Sequence, residues 1–107
     1  MRVLKFVVDG QTIKKDEQCD FSNLVPGTEG YLKVEFSFSP EWHGYVKAAR
    51  FFSSMGREYP QRMLKDGKSC VVPSEALGKK VFKIQVIGKN TNSKLTTNKV
   101  AVSQDGR

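Results

Sequence analysis

The chain has little of what enzymes use. It holds one histidine, His43, and two cysteines, Cys19 and Cys70, among 107 residues. A single imidazole and two thiols far apart in sequence make no CxxC pair and no metal-ligand set. Glu41 lies near His43, but Glu-Trp-His-Gly is not a spacing that pairs a base with a nucleophile. No serine sits in a Gly-x-Ser-x-Gly elbow, and the glycines form no phosphate-cradling loop. The acids are outnumbered, 11 against 18 basic residues. Their one cluster, Asp16, Glu17 and Asp20, lacks the alternating oxygen spacing of a calcium loop. These absences argue against an enzyme and against a bound cofactor or metal.

Long apolar runs are missing too. Nothing approaches the ~20 residues that span a bilayer as a helix. The amino-terminal run Val3-Leu4-Lys5-Phe6-Val7-Val8 is interrupted by Lys5 and stopped by Asp9, too short for the apolar region of a signal peptide. No membrane partner is expected. The cysteines leave one disulfide geometrically possible, but a reducing cytoplasm favours two free thiols.

What the chain does have is period-two patterning. In Tyr31-Leu32-Lys33-Val34-Glu35-Phe36-Ser37-Phe38, the residues Leu32, Val34, Phe36 and Phe38 point one way and the polar residues the other. This is the signature of a half-buried strand. It runs into a turn, Ser39-Pro40-Glu41-Trp42-His43-Gly44. Further strands are expected over 2–8, 45–52, 57–64, 69–72, 80–88 and 94–102, with a short return arm at 11–14 after Asp9-Gly10. Pro60 places the 57–64 strand on an edge or at a bulge. Lys65-Asp66-Gly67-Lys68 is a tight hairpin connection, residues 73–78 form one helical turn, and 103–107 form a frayed polar tail. The segment 15–30 is irregular, with Phe21, Leu24 and Val25 tucked under the sheets. Seven to eight short strands without a long helix predict a single all-β domain over 1–107. Its expected architecture is an antiparallel sandwich of immunoglobulin-like type, with a partly closed barrel as the alternative.

Two groups of side chains are candidates for contact. The Glu41, Trp42, His43 and Tyr45 turn and the Arg57, Tyr59, Arg62, Lys65 and Lys68 hairpin are candidate protein-binding groups. Trp42 has two readings, a partner's anchor or a plug for the core, and its place directly after a buried-face strand favours the core. The net charge of +7 permits nucleic acid, anionic lipid or an acidic protein as partner without requiring any of them. Lys79, Lys80, Lys83, Lys89, Lys94 and Lys99 belong to the carboxy-terminal hairpin. If the Lys83 and Lys99 faces adjoin, they form a basic stripe able to track a phosphate backbone.

The block from Phe38 to Phe51, FSPEWHGYVKAARF, resembles one found in small β-sandwich domains of phages infecting Gram-positive bacteria. Cys70-Val71-Val72-Pro73-Ser74-Glu75-Ala76-Leu77 is similar to that family's second block, Phe82 to Gly88 to its third, and Leu95 to Val100 to its closing strand. The resemblance covers roughly residues 30–103 in the right order. It implies a non-enzymatic structural role in a tail, baseplate or fibre-associated assembly, through contacts with other phage proteins or as a homo-oligomer. The expected location is the virion or the host cytoplasm. Two alternatives stand beside it: a small phage protein that binds and inhibits a host factor, and a basic nucleic-acid-binding β module.

Overall fold

The computed structural model describes residues 1–104. Among these residues nine strands form two sheets. The first sheet has the order β2-β1-β3-β6, from β1 (Arg2–Asp9), β2 (Thr12–Lys15), β3 (Leu32–Phe38) and β6 (Ser69–Val71). The second has β5 (Arg62–Met63), β4 (Val46–Ser53) and β7 (Val81–Lys89) side by side. Both β8 (Lys94–Thr96) and β9 (Val100–Ser103) pair with the far side of β7. A single α-helical turn, α1 (Ser74–Leu77), follows Pro73 as the sequence indicates.

The sheets pack face to face on the alternating apolar positions. Leu4, Phe6, Val8, Leu32, Val34 and Phe36 come from the first sheet, and Ala49, Phe51, Phe82, Ile84, Val86 and Val102 from the second, all buried in one cluster. Full burial of each larger aliphatic or aromatic side chain contributes about 1.5–3 kcal/mol, and this stacked face carries the fold. Phe6 stacks at 5.7 Å on Phe36, and Phe51 at 6.4 Å on Phe82. Leu77 and Ala76 of α1 plug one end of the cluster. Val25, expected beneath the sheets, is exposed, whereas Leu24 is buried and Phe21 meets Phe6 edge-on at 5.3 Å.

The structure differs from the sequence reading in four further places. First, β1 and β3 run parallel, from Arg2 beside Leu32 to Val8 beside Phe38, so the first sheet is mixed. The long 16–31 connection carries the chain back to the start of β1 before β3 begins. Arg2 fastens that connection, its guanidinium donating to the carbonyls of Asp20 (2.9 Å), Ser22 (2.6 Å) and Asn23 (3.3 Å).

Second, the expected 57–64 strand shrinks to the two residues of β5, preceded by an isolated bridge between Phe52 and Glu58. Pro60 stands between them without an N–H to donate. Third, the expected 94–102 strand is split at Thr97–Lys99. There the Thr97 hydroxyl accepts the Val86 N–H at 3.1 Å in place of a backbone carbonyl. Fourth, Ser103 ends β9 and Gln104 is buried, its side chain donating to the carbonyls of Leu77 (3.3 Å) and Lys79 (2.6 Å). The rest of the expected tail, 105–107, lies outside the described residues.

Candidate functional site

The turn that dominates the sequence is an internal clamp. Pro40–Trp42 forms a 3-10 turn, and Trp42 is fully buried. Its indole N–H donates to the Gly10 carbonyl at 2.8 Å, while the Ser39 hydroxyl accepts the Gly10 N–H at 3.0 Å. Two strand ends are thereby tied through the Asp9-Gly10 hairpin. The indole packs on Phe38 at 5.3 Å and Tyr45 at 6.0 Å. Across the sheet it fills the space above Gly88, where an added Cβ would lie 2.9 Å from Cζ3 of the ring. A glycine inside a strand marks such a close approach. Glu41 and His43 are left exposed at this end, and Tyr45 is half-buried with its hydroxyl 2.6 Å from Ser93 Oγ.

The other candidate contact residues do not gather into one patch. Tyr59 is 9% exposed, joins the core cluster and donates its N–H to the Phe51 carbonyl. Arg57 is exposed near the Ser53–Gly56 loop, where it shares a shallow hollow with Lys79 and Lys80. Arg62 and Lys65 line a separate open groove of about 610 Å³ beside β5 and β6, completed by Gln61, Met63, Asp66 and Val71. Lys68 stands exposed on the same hairpin. Asp66 organises this hairpin by accepting the N–H groups of Lys68 (3.0 Å) and Ser69 (2.7 Å) and the Ser69 hydroxyl. Those bonds hold its carboxyl down at about 2.

The groove exists because the two sides of the sandwich end differently. On the β2 side, Asn98 closes the seam: its Oδ1 accepts the Ile13 N–H at 2.8 Å and its own N–H donates to the Gln11 carbonyl at 3.1 Å. Gln11 adds a bond from Nε2 to the Thr96 carbonyl at 3.3 Å. On the β6 side, Val72 N–H donates to the Leu32 carbonyl and Phe36 N–H to the Lys68 carbonyl. In an antiparallel ladder this alternation turns the backbone groups of Val71 away from β3, toward the groove. Val71 on β6 is 40% and Met63 on β5 47% exposed, and among the described residues these two strands end their respective sheets without a further ladder partner. The sequence signal for them was an apolar residue at an outward strand position, Val71, and a methionine in a segment broken by proline.

The thiols are apart. Cys19 lies along β1 on its β2 side, accepting the Lys5 N–H at 3.3 Å, and Cys70 lies on β6 opposite Val34. At about 4.8 Å per strand, the β1 and β3 ladders between them exceed the ~7 Å limit on Cα separation in a disulfide. Cys70 is mostly buried, which pushes its thiol up to about 12.

On the solvent face of the second sheet, Lys83 lies opposite Ala101 and beside Phe52, and Lys89 lies opposite Lys94. Lys99 places its ammonium 3.9 Å from the centre of the Phe52 ring, so the Lys83 and Lys99 faces do adjoin. Lys79 and Lys80 lie instead at the end of the sandwich, before β7.

Among the described residues no group of three His, Cys, Asp or Glu side chains comes together as a metal site, and no helix is long and apolar enough to cross a membrane. Comparison with family models, curated proteins and solved structures finds no match to this chain.

Proposed function

We propose that this protein is a non-enzymatic interaction module that accepts an extended segment of a neighbouring subunit along its open β6 edge. The observation that carries the reading is the asymmetry of the sandwich. One side is sealed by Asn98, whereas the other presents the outward backbone of Val71 to a groove lined by the exposed side chains of Met63 and Val71. An unpaired edge beside an apolar groove is the template for strand addition, with backbone bonds giving affinity and side-chain pockets giving register. Arg62, Lys65 and Lys68 line or flank it, while Asp66 is occupied by its own hairpin, so the segment that fits is an acidic one.

The phage resemblance supplies the setting: an immunoglobulin-like domain of a tail, baseplate or fibre-associated assembly, built against other phage proteins or further copies of itself. Peptide mass spectrometry of virions from the phage or prophage encoding the chain tests this. A fixed copy ratio to the tail or capsid proteins is expected. Clear expression in infected cells with none in the virion would contradict the structural role and turn the search to a host partner.

A further inference from the structure

The solvent face of the second sheet is predominantly cationic. It carries Arg50, Lys83, Lys89, Lys94 and Lys99, and its neighbouring acid is Glu58. That acid is already used: both its oxygens accept from the Arg50 guanidinium, at 2.7 and 2.9 Å. Among the described residues this is the only ion pair, so the four lysines have no carboxylate within bridging distance. Lys89 and Lys94 occupy directly opposed positions of the β7–β8 ladder. Like charges so placed repel, and the repulsion is relieved by an anion shared between them.

The same face has apolar surface between its cations. Phe52 points outward yet is 4% exposed, because Lys99 and Arg50 roof its ring at 3.9 and 5.3 Å. Further along, a hollow of about 360 Å³ is lined by the apolar Val46, Ala48, Met63 and Ile87, by the cations Arg50, Lys89 and Lys94, and by Gln61 and the Arg50-paired Glu58. From Lys83 to Lys89 the face runs six residues of β7, about 20 Å at ~3.3 Å per residue.

We propose that this face binds single-stranded nucleic acid, the lysines tracking the phosphates and the apolar hollow and the Phe52 ring receiving bases. Four of the five cations are lysines, which contact phosphates as flexible point charges and so can follow a backbone of variable path. A flat sheet face with apolar sites between cations suits unstacked bases, as in other small β modules that hold single strands. A duplex would keep its bases stacked and leave the hollow empty. Lys99 has its ammonium on the solvent side of the ring; moving it to a phosphate uncovers Phe52 for stacking.

The test is fluorescence anisotropy with a labelled 12-nucleotide oligothymidylate and the full chain. Neutralising about four phosphates gives a salt slope near −3, so binding should weaken about 50-fold from about 50 to about 200 mM salt. Lys89→Glu with Lys94→Glu should abolish binding. Lys5→Glu with Lys14→Glu, exposed on the first sheet and equal in charge change, should leave affinity within about twofold. Far-UV circular dichroism confirms folding. If the glutamate pair does not fold, Lys94→Ala with Lys99→Ala should instead lower the slope by about 1.4. The proposal is overturned by no saturable binding at low salt or by equal loss in the two glutamate pairs. Tighter binding of duplex than single strand, or equal competition by polyglutamate, also overturns it.

Discussion

Replacing Gly88 with alanine and Trp42 with phenylalanine, singly and together, probes the clamp at the centre of this fold. The alanine methyl would lie 2.9 Å from Trp42 Cζ3, 3.2 Å from Cε3 and 3.2 Å from Tyr45 Cβ. None of these atoms is the free end of a flexible chain, so the strand or the indole must shift, and overpacking of this kind costs about 1–3 kcal/mol. Trp42→Phe acts in the opposite direction. It leaves the Gly10 carbonyl without its 2.8 Å donor, a loss of about 1 kcal/mol for a part-buried acceptor. The missing ring atoms open roughly 40 Å³, which at ~24 cal/mol per Å³ adds about 1 kcal/mol.

The expected total for Trp42→Phe is about 2 kcal/mol, or a fall of about 8–16 °C in Tm for a domain of this size. In the double variant the methyl enters space the indole has vacated. Gly88→Ala should therefore cost about 1 kcal/mol less in the Trp42→Phe background than alone, a coupling expected of side chains in contact. Urea unfolding followed by far-UV circular dichroism measures all four proteins, since the Trp42→Phe variants lack the tryptophan signal. Strict additivity would refute the reasoning, because it would mean that the indole does not rest on Gly88.

Other consequences are open to measurement. Asn98→Ala removes the acceptor of the Ile13 N–H, and should cost about 1–3 kcal/mol and speed hydrogen exchange at Ile13 while leaving the β6 side unchanged. Asp66 is held at about 2 when folded against an ordinary 3.8, so its contribution is present above about pH 4 and is lost as pH falls through 2. Urea midpoints of Asp66→Asn should accordingly lie below wild type at pH 6 and converge with it near pH 2. Cys70, pushed up to about 12, should resist alkylation at pH 8 until the protein unfolds, so Cys19 should be the thiol that labels first in native protein.

The strands were legible because their apolar residues alternate without exception on the buried face: Leu4-Phe6-Val8, Leu32-Val34-Phe36 and Phe82-Ile84-Val86 each occupy one side. Trp42 was readable as core for the same reason, since it directly follows a strand whose inward side is already set. Pro60 likewise announced an edge. What periodicity does not encode is direction and closure. The parallel pairing of β1 with β3 depends on where the 16–31 connection returns, and that is set by Arg2 bonding to three carbonyls some twenty residues away. The seam depends on one asparagine amide reaching across to β2. The open edge is the complement of that seam, so it became visible only once the strands were ordered. The basic face was half legible: the lysines could be counted, but that Lys83 and Lys99 meet around Phe52 while Lys79 and Lys80 do not join them required the register.

The most direct test of strand addition at β6 is the virion content of Val71→Pro. The Val71 N–H points away from β3, so the substitution removes a donor that the fold does not use and places a ring on the open edge. The account predicts a protein whose Tm stays within a few degrees of wild type and which is missing from virions when it replaces the wild-type chain in infected cells. Incorporation at the wild-type copy ratio by a folded Val71→Pro protein would contradict it.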